Sequence, residues 1–374
     1  MKKFFTVYDR YIFTQVLITT IVAILLFTVV WIAPEMLLQT IKKVLSGTIS
    51  PATGVLLIYY ELPQILGKAF PVGLLLGSLF TFDKLSKDSE LTIFRAVGMS
   101  FKRILAPLLV LSLIVTYLCF VTYDKLIPYS CQKLLEIKGR SALTQYIYTK
   151  KDENNYPQQA VVVSKFYKDV MSNVIVMNFS HEVFNDLHGL KNVLVAETGK
   201  KSTTKDGVSC WLLSDVASYH INSEGIFKKV EKIDNVEILN GEASENAYTI
   251  MVNSTKRDRD ITNSDLKHYV DLLKKENMDE NYRLMYCKYL QRFFQPFVCV
   301  LLAIMGCLLG FSKPREQRLI GFTIAIGSIF VYYITLPFFD LLAEKGVLHP
   351  FICAAFPPVA FLIAIISFYK SKDL

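Results

Sequence analysis

Seven cysteines are scattered along 374 residues without one Cys-x2-Cys pair, and the five histidines (His181, His188, His220, His268, His349) show no His-x3-His spacing and no His/Asp/Glu cluster at metal-ligand spacing. Zinc-type sites draw several such ligands at short, regular spacings, so no metal centre is legible. No Gly-x-Ser-x-Gly elbow is present, which removes the α/β-hydrolase nucleophile. Glu197–Thr203 reads ETGKKST, close to the end of a phosphate-binding loop, but that motif requires Gly-x4-Gly-Lys-[Ser/Thr]. Leu194 stands at the first Gly and Lys201 at the Ser/Thr. The stretch reads as a β-turn, and no nucleotide binds by that route. Charge is equally sparse near the apolar runs, where Glu61, Lys68, Asp340 and Glu344 offer no clear proton relay. The chain is expected to carry out no covalent chemistry and to bind no cofactor itself.

What is abundant is apolar length. Hydrophobic residues make up 52% of the chain. A bilayer span needs roughly 18–20 consecutive, mostly apolar residues, and six stretches qualify: Tyr11–Ile32, Leu62–Phe82, Ile104–Ile127, Phe293–Phe311, Leu319–Phe339 and Val347–Phe368. The second carries Pro63, Lys68 and Pro71, which places its core at Ile65–Phe82 with Pro51–Leu62 leading in along the membrane surface. Lys2, Lys3 and Arg10 before the first run resemble a signal-peptide n-region, but the run is too long and no small-x-small site closes it. It reads as an uncleaved span.

Basic residues in short loops set orientation. With the N-terminus inside, thirteen lie on the cytoplasmic side (Lys2, Lys3, Arg10, Lys84, Lys87, Arg95, Lys102, Arg103, Lys313, Arg315, Arg318, Lys370, Lys372) against three outside (Lys42, Lys43, Lys345). Both termini are therefore expected in the cytoplasm. The net charge of +8 then reflects topology, and it says nothing about nucleic acid. Cys119, Cys299, Cys307 and Cys353 fall in spans and read as small buried apolar residues. Cys131, Cys210 and Cys287 fall outside; a disulfide between Cys131 and Cys287 is left open.

Three spans precede and three follow a polar insertion of roughly Pro128–Leu290. QAVVVSKFY, NVIVMNFS, NVLVAETG, VSCWLLSDVASYHI and VEKIDNVEIL are β-branched or aromatic runs separated by turn pieces such as Asp206-Gly207 and Asn240-Gly241. Sandwich, jelly roll and barrel are not separable on this pattern. From Asn263 to Tyr289 the period turns helical, with Leu266, Tyr269, Val270, Leu272 and Leu273 on one face. The expected domains are 1–127, three spans with a cytoplasmic helix near 88–98; 128–262, an extracytoplasmic all-β domain; 263–290, a helical connector; and 291–374, three spans.

The cytoplasmic helix lies in Asp83–Ser100, DKLSKDSELTIFRAVGMS. Asp88 or Ser89 suits an N-cap and Gly98 a C-terminal stop. Leu91, Phe94 and Val97 form an apolar stripe, and Glu90, Thr92 and Arg95 cover the rest. Such a helix either lies on the headgroups or docks in a partner's groove.

KLSKDSELTIFRAVGMS following PVGLLLGSLFTF resembles the signature of the lipopolysaccharide-export ABC transporter permeases of the LptF/LptG type. DRYIFTQVL before the first span, FFQP opening the fourth, GVLHPFICAAFPP opening the sixth and the three-plus-three arrangement extend the resemblance over essentially the whole chain. It implies a bacterial inner-membrane, multi-pass protein with a periplasmic β-jelly roll. Its implied partners are a cytoplasmic ABC ATPase dimer, through which ATP acts, a homologous permease subunit and a single-span periplasmic bridge protein. Glu90 then matches the acidic coupling position, with Leu91, Phe94, Arg95 and Gly98 in the same motif. Lys42 and Lys43 match a lysine pair that the LptG type uses near the lipid's phosphorylated head. Met36, beside Glu35, stands where a further basic residue can occur. DRYI, the lysine pair and FFQP favour LptG. The rival readings are a permease for another envelope lipid and a membrane-anchored sensor or scaffold with a ligand-binding β domain.

Overall fold

A computed structural model describes residues 6–32, 37–138, 146–151, 156–167, 170–179, 190–203, 209–221, 227–238, 242–254, 256–311 and 319–371. The chain divides into two compact units, Met1–Ile137 with Arg283–Leu374, and Lys138–Tyr282.

Among its described residues the first unit holds six helices long and apolar enough to cross a membrane. These are α1 (Val7–Ile32), α3 (Pro51–Lys87), α5 (Phe101–Val121), α9 (Asp279–Gly310), α10 (Leu319–Glu344) and α11 (Pro350–Ser371). Two short helices, α2 (Leu38–Leu45) and α4 (Glu90–Ala96), flank α3, and α5 continues through one wide π turn, Thr122–Leu126, into α6 (Ile127–Lys138). All six apolar runs fall on these helices.

Pro51–Leu62 does not lead in as a separate surface segment. Ser50 accepts the Thr53 N–H at 3.2 Å and Pro51 occupies the first helical position, a combination that starts a helix. From there α3 runs unbroken past Pro63 and Pro71 for about 55 Å at 1.5 Å per residue. Neighbouring helices make internal prolines tolerable by compensating the lost backbone bond. Helix α3 is the most enclosed span, and with α9 it contributes to both main apolar clusters. One cluster joins them to α1, α4 and α5 through Ile12, Val16, Leu85, Leu91, Ile104 and Leu108; the other joins them to α10 and α11 through Leu302, Ala325, Tyr332 and Phe361. Thr20 and Ile24 of α1 sit where side chains on Gly77 and Gly73 of α3 would be, so small residues bring these two backbones close.

The second unit is a six-stranded antiparallel sheet in sequence order: β1 (Tyr146–Lys151), β2 (Pro157–Tyr167), β3 (Val170–Phe179), β4 (Leu190–Thr203), β5 (Ser209–Ile221) and β6 (Phe227–Ile238). One face packs on α7 (Glu242–Ser254) and α8 (Asn263–Lys275). Its core includes Val161, Val163, Met171, Val174, Val176, Leu194, Trp211, Leu213 and Val216, with Ala247, Ile250, Leu266, Tyr269 and Leu273 on the helices. Asn173 and Asp215 adopt left-handed backbone (φ 52° and 54°). Each lies in a two-residue interval between buried positions, Met171 and Val174 or Leu213 and Val216. The pairing register is the same on either side of it, so neighbouring strands change phase together and the inward face resumes without a bulge. Trp211 stacks on Tyr248 at 6.0 Å, and its indole N–H reaches the Ser244 carbonyl at 3.4 Å. Glu276 receives the Tyr148 hydroxyl at 2.8 Å and the Asn246 amide at 2.9 Å. Burial, and then that carboxylate, push the Tyr148 phenol far above its ordinary value; burial alone pushes Tyr269 up to about 12.

Several expectations are corrected here. Glu197–Thr203 is the end of β4 rather than a turn, because Gly199 is buried where a Cβ would stand 2.8 Å from Leu213 Cδ2: the glycine supplies room, not a reversal. Helices α6 and α7 interrupt what read as an all-β segment, and β1 was not anticipated. The described strands form one up-and-down sheet without Greek-key crossings. No disulfide joins the cysteines; Cys131 receives the Gln64 amide at 3.1 Å and Cys287 that of Gln291 at 3.6 Å. The turn pieces Asp206-Gly207 and Asn240-Gly241, His181, His188, Glu35, Met36, Lys2, Lys3, Lys313, Arg315, Arg318 and Lys372 lie outside the described residues.

Candidate functional site

The segment after α3 folds back abruptly. Asp88 closes α3, Ser89 takes left-handed backbone (φ 61°) without capping α4 by its side chain, and α4 spans only seven residues. Its C-terminus is a full Schellman motif: Gly98 (φ +86°) donates to the Arg95 carbonyl at 2.9 Å and Met99 to the Phe94 carbonyl at 3.0 Å. Only glycine enters this backbone region without strain.

The apolar stripe of α4 is split between two faces. Leu91, 3% exposed, and Phe94 pack inward on the cluster holding Ile12, Leu85 and Ile104. Ile93 (57% exposed) and Val97 (76%) face outward. The side chains available to an outside partner are therefore Ile93 and Val97, whereas Leu91 and Phe94 anchor the helix to its own bundle. Arg95 is exposed, its guanidinium 5.9 Å from the centre of the Phe311 ring. Glu90 is half-buried and accepts the Tyr11 hydroxyl at 3.1 Å.

Two helix ends brace this segment. Tyr8 meets Phe94 edge-on at 4.6 Å. Asp9, 4% exposed, takes the Arg103 guanidinium at 2.5 Å and the backbone N–H and hydroxyl of Thr6 at 2.9 and 2.8 Å. The sequence reading counted Arg10 and Arg103 for topology and quoted DRYI, but it did not find these partners.

Lys42 and Lys43 sit in α2, which has no buried residue. Thr40 and Val44 rest against Gly54 of α3, and both lysines are exposed. Neither has an ion-pair partner among the described residues, so both remain available to an anion.

A further surface appears on the sheet face opposite α7 and α8. Cross-strand register lines up Ile147, Val162, Ile175, Val195 and Ala217 in one row, and Met177, Val193, Tyr219 and Val230 in the next. Ile147, Ile175, Val195 and Val230 are exposed, the others half-buried. The first row crosses five strands, or about 19 Å at ordinary strand spacing, and the second crosses four. Apolar side chains left partly or fully exposed in adjacent rows among the described residues make this face a candidate binding surface. The signal was present in sequence: AVVV, VIVM and VLVA are continuous runs, not alternating ones, as expected when both faces are apolar. Among the described residues no three His, Cys, Asp or Glu side chains converge as a metal site.

The family described as lipopolysaccharide export system permease LptF/LptG matches the chain over residues 10–371. The chain belongs to this family. No curated protein matches it. As an LptF/LptG permease it is a multi-pass inner-membrane component of the Lpt ABC transporter. It works with partner subunits in lipopolysaccharide export, as a transporter component.

Proposed function

We propose that this chain is the LptG-type permease subunit, with both termini cytoplasmic and the Lys138–Tyr282 unit periplasmic, curled as half of a jelly roll. Lipopolysaccharide leaves the outer leaflet of the inner membrane with its phosphates near Lys42 and Lys43. Its acyl chains are taken up by the apolar sheet face and passed on to a single-span bridge protein with a similar domain. A cytoplasmic ABC ATPase dimer, which holds the ATP, docks on α4 and drives the step; a homologous permease completes the membrane part. Glu90 and Arg95 are the polar contacts to the ATPase, Ile93 and Val97 the apolar ones. Leu91, Phe94 and the Gly98 stop hold α4 in place for them.

The observation that carries this reading is the sheet face that leaves Ile175 and Val195 at the surface. An amphiphile with several acyl chains needs a continuous apolar track outside the bilayer, and about 25 cal/mol for each Å² of apolar surface withdrawn from water favours its occupation. A photoreactive residue at Val195 is expected to capture lipopolysaccharide in energised membranes, whereas the same residue at inward-facing Leu194 captures none. Equal labelling at both positions, or none at Val195, rejects the track.

A further inference from the structure

Three residues in the first two turns of α1 reach the segment after α3 at three separate points: Tyr8 at Phe94, Tyr11 at Glu90 and Asp9 at Arg103. Tyr8 belongs to a stripe with Ile12 and Val16, both fully buried in the cluster that contains Leu91. Farther along, α1 turns outward, and Ile18, Ile21, Val22, Leu25, Leu26, Val29 and Val30 are all exposed. This helix is therefore held at its first turns by the segment after α3, packed along α3 on one side through Thr20 and Ile24, and open on the other side over the rest of its length. By contrast, α3 is enclosed for most of its length.

From this geometry we infer that α1 is the element that carries motion of α4 across the membrane, with Tyr11 and Tyr8 as the relay and Asp9–Arg103 as the fulcrum. The inference rests on the reading of α4 as the ATPase-docking helix. Its logic is one of unequal bonds. Asp9 is almost wholly buried, and withdrawing Arg103 would leave its charge with the two Thr6 hydrogen bonds but without this counter-ion, so the pair favours staying closed. The Tyr11–Glu90 bond is partly exposed and joins a neutral donor to a carboxylate, so a cation from outside can displace it. Glu90 can thus pass from Tyr11 to a basic group of the docking partner. That exchange frees one side of the α1 terminus while Asp9 holds the other. A rigid 26-residue helix spans about 39 Å, so a small tilt at its first turn becomes a larger displacement at its far end. In sequence, α2 with Lys42 and Lys43 begins six residues after α1 ends.

The test uses the assembled transporter in lipid vesicles and measures three things together: ATPase retention, ATP hydrolysis and labelled lipopolysaccharide released per ATP. Tyr11→Phe removes only a hydroxyl. It is expected to keep the ATPase bound and hydrolysing while release per ATP falls about tenfold, an ordinary size for allosteric coupling. Arg103→Ala is expected to lose release as well, and the exchange Asp9→Arg with Arg103→Asp to restore most of it, as a fulcrum requires and a purely local packing role does not. Wild-type release per ATP in Tyr11→Phe, or loss of the ATPase from that variant, overturns the relay. The reading beneath it has a separate readout, because ATPase retained by Val97→Asp would remove α4 as the docking element and the relay with it. ATPase lost from Val97→Asp but normal coupling in Tyr11→Phe would leave docking intact and reject the relay alone.

Discussion

Asp340 is served by two donors from α9, Lys288 Nζ and Gln291 Nε2, the latter at 2.7 Å. In sequence Asp340 shows only as one of four ionisable residues near the apolar runs; its pairing with Lys288 is not legible there, because Lys288 stands 52 positions away and only helix packing joins them. The same is true of Asp9 and Arg103, separated by 94. Ion pairs between distant helices leave no trace in composition or local spacing. Removing one partner of a largely buried pair costs about 3–5 kcal/mol, since the remaining charge keeps its desolvation penalty. With Lys288 a quarter exposed, the lower end of that range applies. Asp340→Ala is accordingly expected to lower the thermal midpoint of the detergent-solubilised chain by several degrees. Asp340→Asn, which can still accept from Gln291, should lower it less. Identical midpoints for wild type and Asp340→Ala would mean that Lys288 finds another acceptor.

At the scale of the element, α4 shows how far periodicity reaches. Its existence, its stop at Gly98 and its apolar content were all legible, because a Schellman stop and a three-to-four spacing are local properties. Which side each apolar residue faces was not, since that depends on where α1 and α5 lie. The distinction has opposite consequences for neighbouring residues. Leu91→Ala opens a cavity beside Ile12 and Ile104 and is expected to destabilise the chain by about 2–4 kcal/mol. Ile93→Asp and Val97→Asp should leave the thermal midpoint unchanged and cost ATPase co-purification instead. If Leu91→Ala proves neutral to stability and Val97→Asp keeps the ATPase, the assignment of faces is reversed. The long helices were legible from length alone, and five strands from their β-branched runs. Helix α7 was missed although Ala247, Ile250 and Met251 recur at helical spacing; its first turn, with Ser244 and Asn246, carries polar residues that the fold nevertheless buries. The final stretch of β4 was missed because a glycine needed for room looks, in sequence, like one needed for a turn.

For the molecule as a whole, the two units suit the two ends of one amphiphile. On the proposed route the apolar sheet face takes the acyl chains and the exposed lysines of α2 take the phosphates. Two adjacent cations at a membrane surface attract multivalent anions through a field that dies away within about 10 Å at ordinary ionic strength. Their effect should therefore depend on both the lipid's charge and the salt. Replacing both, Lys42→Ala with Lys43→Ala, is expected to reduce capture of bisphosphorylated lipopolysaccharide roughly tenfold at low salt. The difference from wild type should shrink as salt rises and nearly vanish for a dephosphorylated lipid. Photocapture by the sheet, scored on lipid that has already left the membrane, should then fall in the same proportion, because the loss occurs before the apolar track is reached. A variant that captures charged and dephosphorylated lipid equally poorly would place the lysines in folding or assembly, and one that captures both normally would remove them from the lipid's route.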